Sequence, residues 1–168
     1  CVQEWIPIID FFHTALVVHV DLLVLVWFMS FSAAIWSAGT ATTSDLFDQI
    51  AILISLCGAL VIILSPFAGV AQPIINNYFP VLQHPLFYSG LLLFSLGIVI
   101  KGLLTLVSPR DSENSLLGIA VKLSAFIACL SFMLFIWAYH TLPYNLETHA
   151  FFEMLFWGSG HTLQFSHT

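Results

Sequence analysis

Positive charge is nearly missing from this chain. Its 168 residues hold three Lys/Arg against nine Asp/Glu, and charged side chains make up 7% of the total. Nucleic-acid partners need clustered cations to neutralise phosphates, so that class is excluded. Soluble domains carry about 25% charged and about 45–50% apolar residues. Here the apolar share is 60% and the mean hydropathy +1.00, which leaves too little polar surface to wrap a water-facing core. Cysteine is scarce too: Cys57 and Cys129 stand singly in apolar runs, and Cys1 opens the chain. The absence of Cys-x-x-Cys-His excludes covalently attached haem c, and no zinc spacing occurs. No two histidines stand four apart, which excludes the helical zinc-hydrolase motif, and Gly-rich phosphate loops and nucleophile elbows are also lacking. A start at Cys without Met, and with no small-residue cleavage site, is read as a processed or truncated chain.

What is present is length in the apolar runs. About 20 apolar residues cross roughly 30 Å of hydrocarbon, and five stretches meet that length: about Phe11–Ala38, Gln49–Val70, Leu86–Val107, Leu116–Tyr139 and Leu146–Phe165. Backbone groups find no water in lipid, so each must be a helix. The expected fold is therefore all-α, a polytopic membrane protein with five transmembrane helices in a single domain over 1–168. Small, polar or proline-bearing segments join the spans, and 72–85, with three prolines and two asparagines, reads as an interfacial loop. Lys101, Arg110 and Lys122 all flank the loop between the third and fourth spans. The positive-inside rule puts that loop, 108–114, in the cytoplasm, so the first and fifth helices begin outside. Lys101 and Lys122 are expected to snorkel to that interface.

Ionisable groups at bilayer depth mark function by default. The first span holds His13, His19 and Asp21; the fifth holds Glu147, His149, Glu153 and His161, with His167 just beyond. At about 100° per residue, His13 and His19 lie about 240° apart, as do His161 and His167. Each helix therefore offers one deep histidine rather than a pair, which excludes a four-helix b-type cytochrome with two ligands per helix. One histidine per helix converging on a buried cofactor is left, as iron porphyrins and mixed-histidine copper sites require. The bland alternative for a lone deep histidine is a hydrogen bond between packed helices.

Two segments go further: Ala15-Leu-Val-Val-His-Val-Asp-Leu22, continuing to Val26-Trp-Phe28, and Glu153-Met-Leu-Phe-Trp-Gly-Ser-Gly-His-Thr-Leu-Gln-Phe165. Both resemble subunit I of the haem-copper oxidase superfamily, in its C-type and nitric-oxide-reductase-like branches. The resemblance implies that the five spans match helices two to six of that subunit, as an internal piece. It implies that His19 is the axial ligand of a low-spin haem and that His161 is a copper ligand facing a high-spin haem. Three whole spans separate the two histidines, as second-to-sixth-helix connectivity requires. The implied function is a terminal respiratory oxidase reducing dioxygen to water. Implied partners are the other respiratory subunits and a cytochrome donor, and the implied location is the bacterial cytoplasmic membrane.

One departure bears on the substrate. Many oxygen reductases have a tyrosine four residues after the copper histidine, whereas this chain has Phe165. That favours the alternative of a nitric oxide reductase. Gln164, three residues after His161, is a candidate hydrogen-bond donor to a metal-bound ligand. Glu153, eight residues before His161, lies about 80° off its face and roughly 12 Å toward the outside, a candidate proton relay. Asp21 lies about 200° around the helix from His19 and cannot support that imidazole. Outside the redox class the rival is a non-redox transporter, which would show broken helices near midplane.

Overall fold

A computed structural model describes residues 8–39, 45–69, 71–108, 116–143 and 145–166. The first apolar run forms α1 (Ile8–Asp21), a π-helical segment (Leu22–Trp27) and α2 (Phe28–Ala38) as one rod. The second forms α3 (Asp45–Leu64), which tightens into a 3₁₀ turn at Ser65–Phe67 where Pro66 can no longer donate to the α ladder. Then come β1 (Gln72–Ile74), β2 (Val81–Gln83), α4 (Pro85–Val107), α5 (Leu116–Thr141) and α6 (Thr148–Gln164). Pro85 opens α4 at a position where a missing N–H costs nothing, and His84 Nδ1 accepts from Leu86 N at 3.2 Å as the cap. At the other end of α4, Lys122 Nζ donates to the carbonyls of Leu106 and Ser108 at 3.1 and 2.6 Å, closing a helix end with a cation.

The packing is densest between α3 and α4. A Cβ on Gly58 would strike the Phe94 backbone, and one on Gly97 would strike Ser55, so these two glycines let the helix backbones meet. Small residues serve this purpose in lipid, where apolar burial supplies little drive between helices. The core gathers Val17, Met29 and Trp36 of the first rod with Ile62, Phe87, Phe94 and Ala125. Outward, large apolar side chains lie bare along whole helices, with Leu92 71% and Leu116 84% exposed. In water such a surface would be an aggregation hazard; in hydrocarbon it is the expected one.

Among the described residues, four helical stretches are long and apolar enough to cross a membrane: Phe12–Ala38, Leu46–Phe67, Pro85–Val107 and Leu116–Thr141. The expected fifth, 146–165, is a helix of only 17 residues, shortened because Glu147 caps it and enriched in Glu, Ser, Thr and His. The all-α expectation misses one feature. Residues 72–83 form an antiparallel hairpin, Gln72 opposite Gln83 and Ile74 opposite Val81. The expected loop is thus a docked hairpin, with Val81 and Leu82 in one core cluster with Val17 and Val18 of α1. Strands of three residues are too short to show an alternating pattern in sequence. Arg110 with the rest of the loop after Ser108, Cys1 and His167 lie outside the described residues.

Candidate functional site

The hairpin tip and α5 fix α6 in place. Asn77 donates to Glu153 twice, from its backbone N at 3.2 Å and from Nδ2 at 2.6 Å. Both contacts are donors to the carboxylate, so Glu153 serves as an acceptor clamping the tip to the helix. One turn on, Phe79 meets Phe156 edge-to-face at 5.5 Å. Another turn on, Tyr78 covers Gly160, where a Cβ would come within 3.0 Å of its ring. From the other side, Ser131 on α5 donates to the Ser159 carbonyl at 2.6 Å. Near the C-terminal end, Trp36 Nε1 donates to Ser124 Oγ at 3.2 Å, which donates to the Ser166 carbonyl at 2.6 Å. At the start, Glu147 accepts from the N–H groups of His149 and Ala150 at 3.1 Å each. Those two donors hold the Glu147 carboxyl below its ordinary range.

His161 stands on the face these contacts leave open, with Met154, Trp157, Gln164 and Phe165, all exposed. Its Nδ1 lies 2.9 Å from the Trp157 carbonyl. A carbonyl can only accept, so Nδ1 is the donor, and in the neutral ring the lone pair then sits on Nε2. The ring is flanked by Tyr78 at 5.2 Å and Trp157 at 5.4 Å between centroids. The imidazole is thus oriented by its Nδ1 hydrogen bond and flanked by two aromatic rings, while Nε2 has no hydrogen-bond partner among the described residues.

His19 lies on the exposed side of α1, between buried Val17 and Val18 and buried Asp21. It makes no hydrogen bond to a described residue, so the helix-packing bond that lone membrane histidines usually make is absent among them. Further along the exposed side of the rod, Trp27 stacks on Phe31 at 6.0 Å. No described hydrogen bond or ring contact joins His19 to His161. Among the described residues, no three His, Cys, Asp or Glu side chains cluster to hold a metal ion. Each histidine therefore offers one ligand, and further ligands would have to come from elsewhere.

Lys101 corrects the snorkelling expectation. It is buried and paired with Asp48 at 3.0 Å, across the α3–α4 interface. The expected second span starts at about Gln49, so Asp48 falls just outside it and the pair was not foreseen. Sequence reading also missed Asn77 and Tyr78, because nothing in a proline-rich loop indicates that its tip folds back onto a helix more than seventy residues later.

The helices and their bare apolar exterior define an integral membrane protein. The chain is similar to an uncharacterized protein of Rickettsia prowazekii (strain Madrid E), 29% identical over 187 residues that cover 94% of this chain and 36% of that protein. It is also similar to an uncharacterized protein of Aquifex aeolicus (strain VF5), 31% identical over 162 residues, 92% of this chain and 40% of that protein. The chain thus spans well under half the length of these relatives. No family model matches the sequence. No solved structure matches it. Neither relative's name assigns an activity, so the oxidase resemblance rests on the two motifs around His19 and His161.

Proposed function

We propose that this chain is the part of a larger membrane oxidoreductase that presents His19 to a low-spin haem and His161 to copper, in a terminal oxidase that reduces dioxygen to water. The observation that carries the reading is the setting of His161: Nδ1 donates to the Trp157 carbonyl, and Nε2 has no hydrogen-bond partner among the described residues, on an exposed helix face. Metal-binding imidazoles are oriented in this way, through a hydrogen bond from the nitrogen that does not bind. Bound at these positions, the haem would carry single electrons, and copper opposite a second haem would be the place of gas reduction.

The chain's own residues position and shield. Tyr78 and Trp157 restrict the His161 ring, and the absence of a side chain on Gly160 lets Tyr78 approach. Ser131 anchors the backbone two residues before the imidazole. The Asn77–Glu153 clamp holds the hairpin that carries Tyr78, and in this reading a relay role for Glu153 requires that clamp to open. Gln164 shares the outward face and is suited to donate a hydrogen bond to a metal-bound ligand.

In the same reading α6 is a fifth membrane-inserted helix, giving helices two to six of the subunit. The membrane is the bacterial cytoplasmic one, with the 108–114 loop facing the cytoplasm. The partners are the other subunits of a respiratory complex and a cytochrome donor. Reduction of nitric oxide is the second reading, favoured by Phe165, whose ring has no hydroxyl to offer on the face of His161. The test is His161→Ala in the full-length protein. Copper by elemental analysis and gas consumption should both be lost while the low-spin haem spectrum persists; unchanged copper content would overturn the assignment.

A further inference from the structure

Among the described residues, ionisable side chains cap two helices: Glu147 caps α6 and His84 caps α4. A carboxylate keeps its acceptors across the neutral range, whereas a histidine changes its own within it. His84 stands in extended backbone just ahead of Pro85, the conformation that a residue before proline prefers. Its carbonyl accepts from Tyr88 N at 3.2 Å, and its Nδ1 accepts from Leu86 N at 3.2 Å. In the other direction, its own N–H donates to the Leu82 carbonyl at 2.7 Å. His84 is thus the joint between β2 and α4, and its ring is half-buried, within reach of water. An N–H can only donate. The bond from Leu86 therefore exists only while Nδ1 keeps a lone pair, in the neutral ring with its proton on Nε2.

β2 pairs with β1 and packs on α1 and α4. Gly69, after the 3₁₀ turn, comes up beside the ring, where an added Cβ would lie 4.0 Å from Nε2. The two strands and the 3₁₀ turn hold no Lys, Arg, His, Asp or Glu. α1 carries Asp10, His13, His19 and Asp21; α4 carries Tyr88, one turn on from His84, and Lys101 toward its other end. No described hydrogen bond or ion pair joins any of these side chains to His84. No described carboxylate is therefore in place to hold the protonated ring where it stands. Protonation removes the Nδ1 lone pair and puts a positive charge at the positive end of the α4 dipole, and both effects expel the ring from the cap. We propose that His84 is a pH-sensitive latch between the hairpin and α4. Neutral, it caps the helix and seats β2; protonated, it releases Leu86 and frees the first turn of α4. Uptake forms one N–H bond on Nδ1, and no electrons move. The same hairpin carries Tyr78 to the His161 ring, so the latch acts on an element that flanks the candidate site. It does not depend on what His161 binds.

Hydrogen exchange of the full-length protein in lipid tests this at about pH 8 and about pH 5, on either side of the ordinary histidine range. Rates are corrected for the intrinsic dependence of exchange on pH. In the unaltered protein the first turn of α4 should exchange about five-fold faster in acid, the factor that loss of a cap of ordinary strength gives. His84→Asn keeps an acceptor at both pH values and should hold its protection at both, while His84→Ala should exchange fast at both. The two-pH comparison is made on the unaltered protein, so it stands even where a variant folds poorly. Equal protection at the two pH values in the unaltered protein, or the same acid loss in His84→Asn, would overturn the proposal.

Discussion

Between α3 and α4 the backbones touch through Gly58 and Gly97, and the one cation at the interface, Lys101, is matched by Asp48. Along the open face of α6, Met154, Trp157, His161, Gln164 and Phe165 stand exposed on a helix whose other sides are fastened. The first region pairs its cation; in the second, Nε2 of His161 has no hydrogen-bond partner among the described residues. The contrast separates what holds the bundle together from what could do chemistry, and it makes the two regions respond differently to substitution.

The largest effect is expected at the ion pair. Asp48→Ala leaves Lys101 buried without its partner, a loss of about 3 kcal/mol, at the low end of the range because Asp48 keeps some exposure. Unfolding in detergent measures it, and the double change Asp48→Leu with Lys101→Met should recover most of the loss. Full recovery by the double variant would show that the pair contributes through matching rather than through net attraction. Next comes Gly58→Ala, where the added Cβ meets the Phe94 backbone, which cannot yield as a side chain would. About 1–3 kcal/mol is expected, read in the same assay.

At the two exposed histidines, His161 on α6 and His19 on α1, little loss is expected. His161→Ala and His19→Ala should each change stability by no more than about 0.5 kcal/mol, as exposed substitutions usually do. A loss of several times that in either would place the histidine among the packing residues and blur the contrast. The smallest effect belongs to Glu147. Its carboxyl titrates below the ordinary 4.5 because it accepts from His149 and Ala150. Its stabilisation is therefore present above that value and lost as pH falls through the lowered one. Helicity followed through an acid titration should show this, and Glu147→Gln should flatten the acid limb.

Much of the bundle is legible in the sequence because lipid imposes a length and a polarity on each crossing. The third and fourth spans, expected at 86–107 and 116–139, form Pro85–Val107 and Leu116–Thr141. The second ends earlier than expected, since Pro66 stops the α ladder that hydropathy alone would extend to Val70. Hydropathy likewise carries no trace of the π segment, whose residues are as apolar as the turns on either side. The hairpin was hidden for a different reason. Its strands are held by docking on α1 and α4 and its tip on α6, and that tertiary fact leaves no local period. Around His161, the histidine and its glycines were visible as a motif, whereas the ring that flanks it comes from Tyr78, far away in sequence. Asp21 was visible as an acid in a span, but only the fold shows that it is buried, with no hydrogen-bond partner among the described residues.

The most direct measurement is the optical spectrum of the purified full-length protein, compared with its His19→Ala variant. The account requires a Soret band with a low-spin component in the first and loss of that component in the second, with helicity unchanged. Identical low-spin spectra in the two proteins, or no Soret band in the unaltered one, would contradict it.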